Sequence, residues 1–159
     1  MPLILFALNV LASEVNWCTS KERSIQHTVS AIVKKMRTKT CEGALRKLST
    51  RRSIDLSRMG LTDIRPLSNQ IQLRMVLLRE NQIRDITPLS KLVDLKWLDI
   101  GKNPIHDLTP LSSLRKLETL WVESKSINDL SPLTPLKKLR YLSLRNCSVT
   151  DVSPLRSSK

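Results

Sequence analysis

The chain is poor in glycine and in histidine. It has three glycines and two histidines among 159 residues, and no glycine-rich loop of the kind that binds phosphate. His27 and His106 lie far apart in the sequence, and no Ser/His/Asp arrangement or pair of catalytic carboxylates stands out. The sequence therefore predicts a protein that is not an enzyme and that needs no cofactor.

Cysteine is also scarce. The three cysteines form no CxxC pair and no cluster with histidine, which argues against a zinc site. Cys18 and Cys41 flank a helical stretch, whereas Cys147 lies far away. A Cys18–Cys41 disulfide would require an oxidising compartment, and two buried thiols are the alternative.

Long apolar runs are missing as well. The run from Leu3 to Leu11 is too short to span a bilayer but has the length of a signal-peptide core, and Val10-Leu11-Ala12 ends it with small residues. Because no Lys or Arg precedes this run, a buried N-terminal strand is the other interpretation. We expect a signal peptide over residues 1–13 and a secreted or cell-envelope protein, or a cytoplasmic one if this segment is retained.

Acidic residues are in the minority. The chain has 14 Asp and Glu against 27 Lys and Arg, so that its formal net charge is +13. Such a charge favours acidic partners, which include nucleic acid, anionic polysaccharide, lipid headgroups and acidic protein surfaces. A purely solubilising role of the charge is the alternative.

The sequence contains a repeat of 22 residues. Its prolines, each followed by leucine, are Pro66, Pro88, Pro110, Pro132 and Pro154. An aspartate precedes each proline by three positions: Asp63, Asp85, Asp107, Asp129 and Asp151. Apolar residues flank each aspartate in the same phase. A fixed period of this kind indicates a solenoid in which every repeat is one structural unit.

The other half of each repeat is a predicted strand. Leu95, Leu98, Ile100 and Asn103 match the pattern L-x-x-L-x-L-x-x-N, and similar segments recur in the other repeats. Because side chains alternate along a strand, Leu98 and Ile100 should face the core while Trp97 and Asp99 face outward. Strands of successive repeats can then form a parallel sheet over a shared core, which no single repeat could bury alone.

Two polar columns have predicted structural roles. Asn81 and Asn103 should bond backbone groups of adjacent turns, whereas Met59, Lys125 and Cys147 depart from this column, and we expect Lys125 to turn outward. The repeated aspartates should bond nearby backbone amides. The prolines suit a short 3₁₀ turn on the return side.

The segment before the repeats reads as a helical cap. Apolar residues at helical spacing predict a first helix: Ile25, Val29, Ile32, Val33 and Met36. Cys41, Ala44, Leu45 and Leu48 predict a second, with Thr40 as its N-cap. Such helices would cover the open end of the first strand.

The repeat at residues 83–103, IRDITPLSKLVDLKWLDIGKN, resembles the 22-residue type of bacterial internalin-like proteins, a type also found in a eukaryotic phosphatase-regulator subfamily. The resemblance covers residues 54–155, and the preceding segment is similar to the N-terminal caps of secreted members. It implies an α/β leucine-rich-repeat solenoid with a curved parallel β-sheet, a short 3₁₀ or turn-like convex side and an N-terminal helical cap. It also implies protein binding on the concave face and no catalytic residues.

These observations predict a signal peptide at 1–13, a helical cap at 14–50, five repeats at 51–155 and a tail at 156–159. We expect the concave face to bind a protein, because Trp, Tyr and Arg often dominate binding and clustered exposed apolar groups usually mark a contact surface. The expected contact residues are Met75, Leu77, Arg79, Trp97, Asp99, Trp121, Glu123, Tyr141 and Arg145. Stacking that only stiffens the sheet is the alternative.

Three further expectations concern partners. A basic patch could bind an acidic surface, a polyanion or nucleic acid, although a solvated polar face is the simpler interpretation. It comprises Lys34, Lys35, Arg37, Lys39, Arg51 and Arg52. An intracellular scaffold resembling the phosphatase regulators would require retention of residues 1–13. Because the sequence ends directly after the fifth Pro-Leu, we expect an open edge that belongs to a truncated protein or that pairs with another copy or a partner.

Overall fold

The computed structural model describes residues 16–157, so that the predicted signal peptide lies outside the described residues. A 3₁₀ turn (Trp17–Thr19) comes first, followed by two α-helices, α1 (Arg23–Met36) and α2 (Cys41–Leu48). Five strands follow: β1 (Ser53–Asp55), β2 (Met75–Leu77), β3 (Trp97–Asp99), β4 (Thr119–Glu123) and β5 (Tyr141–Arg145). Within this part of the chain, no helix is long and apolar enough to cross a membrane.

The strands form one parallel sheet in chain order, β1 to β5. Their register follows the 22-residue repeat, because Ser53, Met75, Trp97, Thr119 and Tyr141 are paired in sequence across the sheet. Leu98 and Ile100 are buried, whereas Trp97 lies on the exposed face. The predicted alternation is therefore confirmed for Trp97, Leu98 and Ile100, whereas Asp99, which was expected to face outward, is buried.

A short 3₁₀ helix follows every strand on the opposite side of the core. These helices span Arg65–Leu67, Thr87–Lys91, Thr109–Ser113, Ser131–Leu133 and Ser153–Ser157. In each, the preceding aspartate accepts a hydrogen bond from the backbone N–H two residues later, as between Asp107 and Thr109 at 2.8 Å. The predicted local role of the aspartate column is confirmed.

The asparagines tie neighbouring turns together in the buried core. Asn81 Oδ1 accepts hydrogen bonds from the N–H groups of Met59 and Leu61, and its Nδ2 donates to the carbonyls of Leu56 and Leu78. Asn103 bonds the next turn in the same way.

The next position of the asparagine column is Lys125, whose side chain is exposed as expected. The Ser124 hydroxyl instead donates to the carbonyl of Ile105 at 2.7 Å. A neighbouring side chain therefore contacts the preceding turn, although it binds a carbonyl there, whereas Asn103 binds the N–H group of Ile83.

The two helices cap the first repeat. Ile25, Ile32 and Leu48 are fully buried, and the Thr40 hydroxyl accepts a hydrogen bond from Gly43 N–H at 3.1 Å, as the N-cap prediction requires. A disulfide joins Cys18 to Cys41, with the Cα atoms 5.6 Å apart. Thr28 and Ser24 of α1 donate hydrogen bonds to Asp63, so that the first aspartate of the column also fastens the cap.

Candidate functional site

The exposed sheet face, which we call the concave face, carries two rows of side chains. The row at the start of the strands contains Ser53, Met75, Trp97, Thr119 and Tyr141. The row beside it contains Asp55, Leu77, Asp99, Trp121 and Ser143. These are the outward positions that the alternation predicts.

Trp97 and Trp121 form a diagonal pair on adjacent strands. Their ring centroids lie 5.7 Å apart, and their planes meet at 72°, an edge-to-face arrangement that aromatic rings favour. The rings remain 37% and 40% exposed. The structure therefore provides a preformed aromatic surface, which we call the aromatic pair, and Tyr141 lies one strand beyond Trp121 with its side chain largely exposed.

Asp99 lies in register with Trp121 but is buried, with 4% of its surface exposed. Its carboxylate accepts a hydrogen bond from Gly101 N–H at 2.9 Å. Burial raises the pKa of Asp99, although this hydrogen bond and the nearby Arg79 oppose the shift. Asp99 was expected among the contact residues, and its burial gives it a supporting position within the face.

A charged network lies beside the aromatic pair. Arg79 Nη2 contacts Glu123 Oε2 at 2.6 Å, and Asn146 Nδ2 donates to Glu123 Oε1 at 3.0 Å. The pKa of Glu123 is lowered, chiefly because Arg79 donates this hydrogen bond. Together with Trp121 and the exposed Arg145, the ion pair lines a shallow depression of about 480 Å³. The spacing of Arg79 and Glu123 in the sequence, two repeats apart, gave no sign of this contact.

The concave face meets the cap at a second cavity, of about 530 Å³, which we call the junction pocket. Its apolar lining consists of Met36, Ile54, Met75 and Leu77. Its cations are Lys35, Arg37, Lys47 and Arg51, and its other polar residues are Ser53 and Asp55.

The junction pocket joins two predicted groups. Met75 and Leu77 were expected on the concave face, and Lys35, Arg37 and Arg51 in the basic patch. The other members of the predicted basic patch, Lys34, Lys39 and Arg52, do not line the pocket. Lys47 does line it, although its place in the predicted second helix did not distinguish it from other surface lysines.

Comparisons with known proteins agree with this geometry. The family model of leucine-rich repeats, a two-copy model, matches residues 71–113 and 93–135. Internalin C2 from Listeria monocytogenes has a similar solved structure, with a TM-score of 0.69 and 39% sequence identity over 73% of this chain and 51% of that one. The chain is an internalin-like leucine-rich repeat protein.

A second internalin from Listeria monocytogenes has the same fold, with a TM-score of 0.66 and 23% identity over 83% of this chain and 46% of its own. The internalin-like chain thus spans about half the length of each of these solved structures. No curated protein matches it.

The matched region of the internalin-like chain runs from the turn before β2 to the turn after the fourth 3₁₀ return, and it contains the aromatic pair. Leucine-rich repeats build extended surfaces of this kind for binding proteins. Among residues 16–157, no group of three or more His, Cys, Asp and Glu is arranged to hold a metal ion.

Proposed function

We propose that this chain is a non-catalytic protein-binding module that acts outside the cytoplasm, in the secreted fraction or the cell envelope, and that binds its partner through the concave face. The observation that carries the proposal is the aromatic pair, in which Trp97 and Trp121 are in contact and yet keep more than a third of their surface exposed. Large apolar rings left at the surface of a rigid sheet are typical of an interface centre.

The surroundings of the aromatic pair support this proposal. The ion pair of Arg79 and Glu123 lies beside Trp121, and the half-buried Met75 and Leu77 lie on β2, which neighbours the strand of Trp97. Partners usually bury such an aromatic centre within a ring of polar and weakly contributing contacts that exclude water. Because the rings already touch in the free protein, binding would order few additional side chains.

The proposed location rests on the cap. Disulfides persist in oxidising compartments and are rare in the cytosol, so that the Cys18–Cys41 bond favours a secreted or envelope protein. The apolar segment of residues 1–13 supports the same location.

Affinity capture tests the proposed function. The wild-type chain and a Trp97→Ala/Trp121→Ala variant are immobilised in equal amounts, and the recovered proteins are quantified. A matched control is Ile71→Ala/Val93→Ala, because Ile71 and Val93 are also large, apolar and exposed but precede the strands. We expect the tryptophan variant alone to lose the partner. Equal recovery by all three proteins would refute the proposal.

A second candidate function is the binding of a linear polyanion along the edge where the strands begin. Four cations lie at equivalent positions of the repeat just before the strands: Arg52, Arg74, Lys96 and Arg140. Lys116 and Lys138 lie two positions earlier in their repeats. Among the residues that the structure describes, two of these cations are paired with acids, Lys96 with Glu118 and Lys116 with Asp94. The salt concentration at which the chain elutes from immobilised heparin tests this function. A lower value for Arg74→Gln/Arg140→Gln than for the wild type would support it, and an unchanged value would exclude it.

A further inference from the structure

The junction pocket holds positive charge that the fold leaves largely unpaired. It contains four cations and a single carboxylate, Asp55. Lys35 Nζ lies 3.5 Å from Asp55 Oδ2, and Lys47 Nζ donates to the carbonyl of Met36 at 2.9 Å. Arg37 and Arg51 are exposed, and neither forms an ion pair with another side chain among residues 16–157.

Interaction with the helix dipoles, which favours other cations of the cap, does not explain the positions of Arg37 and Arg51. Lys34 and Lys35 occupy the last turn of α1, and Arg46 and Lys47 that of α2, where a cation interacts favourably with the helix dipole. Arg37 follows α1 as its C-cap in the left-handed conformation, with φ 53°, where glycine is the least strained residue. Arg51 lies between α2 and β1.

The pocket offers apolar surface next to this charge. Met36 and Met75 supply flexible, polarisable side chains that adapt to an incoming group. Met75 pairs with Trp97 across the sheet and Leu77 pairs with Asp99, so that the pocket continues into the concave face. A ligand that fills it must carry an anionic group beside an aliphatic one.

We propose that the junction pocket binds an acidic segment of the protein partner, in which carboxylate side chains alternate with aliphatic ones. This proposal rests on the proposed function and adds the chemistry of the partner and its direction. The carboxylates pair with Arg37 and Arg51, since guanidinium groups bind carboxylates through two parallel hydrogen bonds. The aliphatic side chains rest on the methionines, and the segment continues across β2 toward the aromatic pair.

A polyanion fits the junction pocket less well. A sulfated or phosphorylated polymer has no aliphatic group for the methionines, and no aromatic residue lines the pocket to stack with a nucleic acid base. The alternation of charged and aliphatic side chains in a peptide matches both parts of the lining.

Methionine methyl NMR tests this proposal on the full chain. The methyl groups of Met36 and Met75 report on the pocket, whereas Met59 packs against the core elsewhere and serves as an internal reference. The probes are a capped tetrapeptide that alternates glutamate with leucine and its counterpart that alternates lysine with leucine. We expect the glutamate peptide at millimolar concentration to shift Met36 and Met75 saturably, with an affinity that falls as salt is added, and to leave Met59 unchanged.

Two double variants distinguish peptide binding in the junction pocket from binding that depends only on the overall positive charge of the cap. Arg37→Gly/Arg51→Gln removes two cations of the pocket, and glycine fits the left-handed C-cap, so that the cap should remain folded. Lys34→Gln/Lys39→Gln removes the same charge from the cap outside the pocket. We expect the first variant to bind the glutamate peptide about tenfold more weakly, as the loss of a charge-assisted contact would cause, and the second to bind it as the wild type does.

The result that overturns the proposal is equal binding of both peptides, equal affinity of both double variants, or the absence of any shift at Met36 and Met75. The peptide assay needs no partner, so that it is independent of the capture experiment. If the glutamate peptide binds as proposed but Trp97→Ala/Trp121→Ala still captures the partner, the aromatic centre is refuted and the pocket is retained. The reverse pair of results would retain the aromatic centre and refute the pocket.

Discussion

Arg79 and Glu123, which are 44 positions apart in the sequence, form an ion pair across an intervening repeat, with Arg79 Nη2 2.6 Å from Glu123 Oε2. The equivalent position of the intervening repeat is Gly101. A Cβ atom placed there would lie 2.4 Å from Arg79 Nη1 and 3.1 Å from Asp99 Oδ1. The glycine is therefore needed for the close approach of the guanidinium group.

We predict that Gly101→Ala displaces Arg79 and separates the ion pair. The pKa of Glu123 is lowered chiefly by the hydrogen bond from Arg79, so that its loss should raise that pKa toward the ordinary value for glutamate. A carboxyl-carbon NMR titration of Glu123 in the wild type and the variant measures this change.

The control for this prediction is the same substitution in an Arg79→Ala background. There the Cβ of the new alanine meets no guanidinium group, and Gly101→Ala should leave the pKa of Glu123 unchanged. An equal shift in both backgrounds would show that the alanine acts on Glu123 by another route.

Asp99 should make the protein less stable at neutral pH than an uncharged residue would. Its folded-state pKa is raised, mainly by burial, so that the folded state favours the protonated carboxyl group. The stability that the protonated Asp99 carboxyl group contributes is present below the pKa of the unfolded state, and it is lost as the pH rises through the folded-state pKa. We predict that Asp99→Asn raises the melting temperature at pH 7 and that the gain disappears in acid, as measured by thermal unfolding at several pH values.

Asp63→Asn provides a comparison of opposite sign. Burial raises the pKa of Asp63, but hydrogen bonds from Arg65 outweigh it, and the net shift is downward. The contribution of this group is present above the unfolded-state pKa and is lost as the pH falls through the folded-state pKa. Asp63→Asn should therefore lower the melting temperature at pH 7, with the difference vanishing in acid. If both variants changed stability in the same direction at pH 7, the account of these two carboxyl groups would be wrong.

Periodicity explains why most of the fold could be predicted. Pro88 and Asn103 recur at the same phase of the repeat, and a residue such as Leu98 can only face the core if its neighbour Trp97 faces outward. The same alternation located the aromatic pair, because stacking of identical units fixes which strand positions become neighbours.

The rest of the site depends on contacts that no period describes. Arg79 reaches Glu123 across Gly101 because the arginine side chain is long and the glycine has no side chain. The burial of Asp99 depends on the groups that cover it. The junction pocket depends on how the cap rests against β1, so that the proximity of Arg37 to Met75 was not predictable from their spacing.

The buried asparagines should contribute strongly to stability. Asn81→Ala would remove the side-chain partner of the Met59 and Leu61 N–H groups and of the Leu56 carbonyl, whereas the Leu78 carbonyl still accepts a hydrogen bond from Asn103. We predict a loss of about 1–3 kcal/mol in the free energy of unfolding, the range for buried polar groups left unpaired. Urea unfolding measures this loss.

Lys125→Ala is the matched control for Asn81→Ala, because it occupies the same column with an exposed side chain. It should change the free energy of unfolding by less than about 0.5 kcal/mol. A loss for Lys125→Ala as large as that for Asn81→Ala would contradict the role assigned to the buried amides.

The Cys18–Cys41 disulfide should stabilise the cap. It closes a segment with a sequence separation of 23 residues. Loop-closure entropy predicts that Cys18→Ser/Cys41→Ser lowers the free energy of unfolding by about 3 kcal/mol. Reductant should destabilise the wild type in urea unfolding but leave the double variant unaffected, and a wild type that is insensitive to reductant would contradict this account.

The central claim is that the aromatic pair on the concave face is the centre of a protein interface. The dissociation constants of the purified partner for the wild type, for Trp97→Ala/Trp121→Ala and for the control Ile71→Ala/Val93→Ala test it most directly. We predict that loss of the tryptophans weakens binding at least about 30-fold, as expected for interface residues worth about 2 kcal/mol or more, and that the control stays within about threefold of the wild type. A tryptophan variant within about threefold of the wild type, with the fold intact by circular dichroism, would contradict the claim.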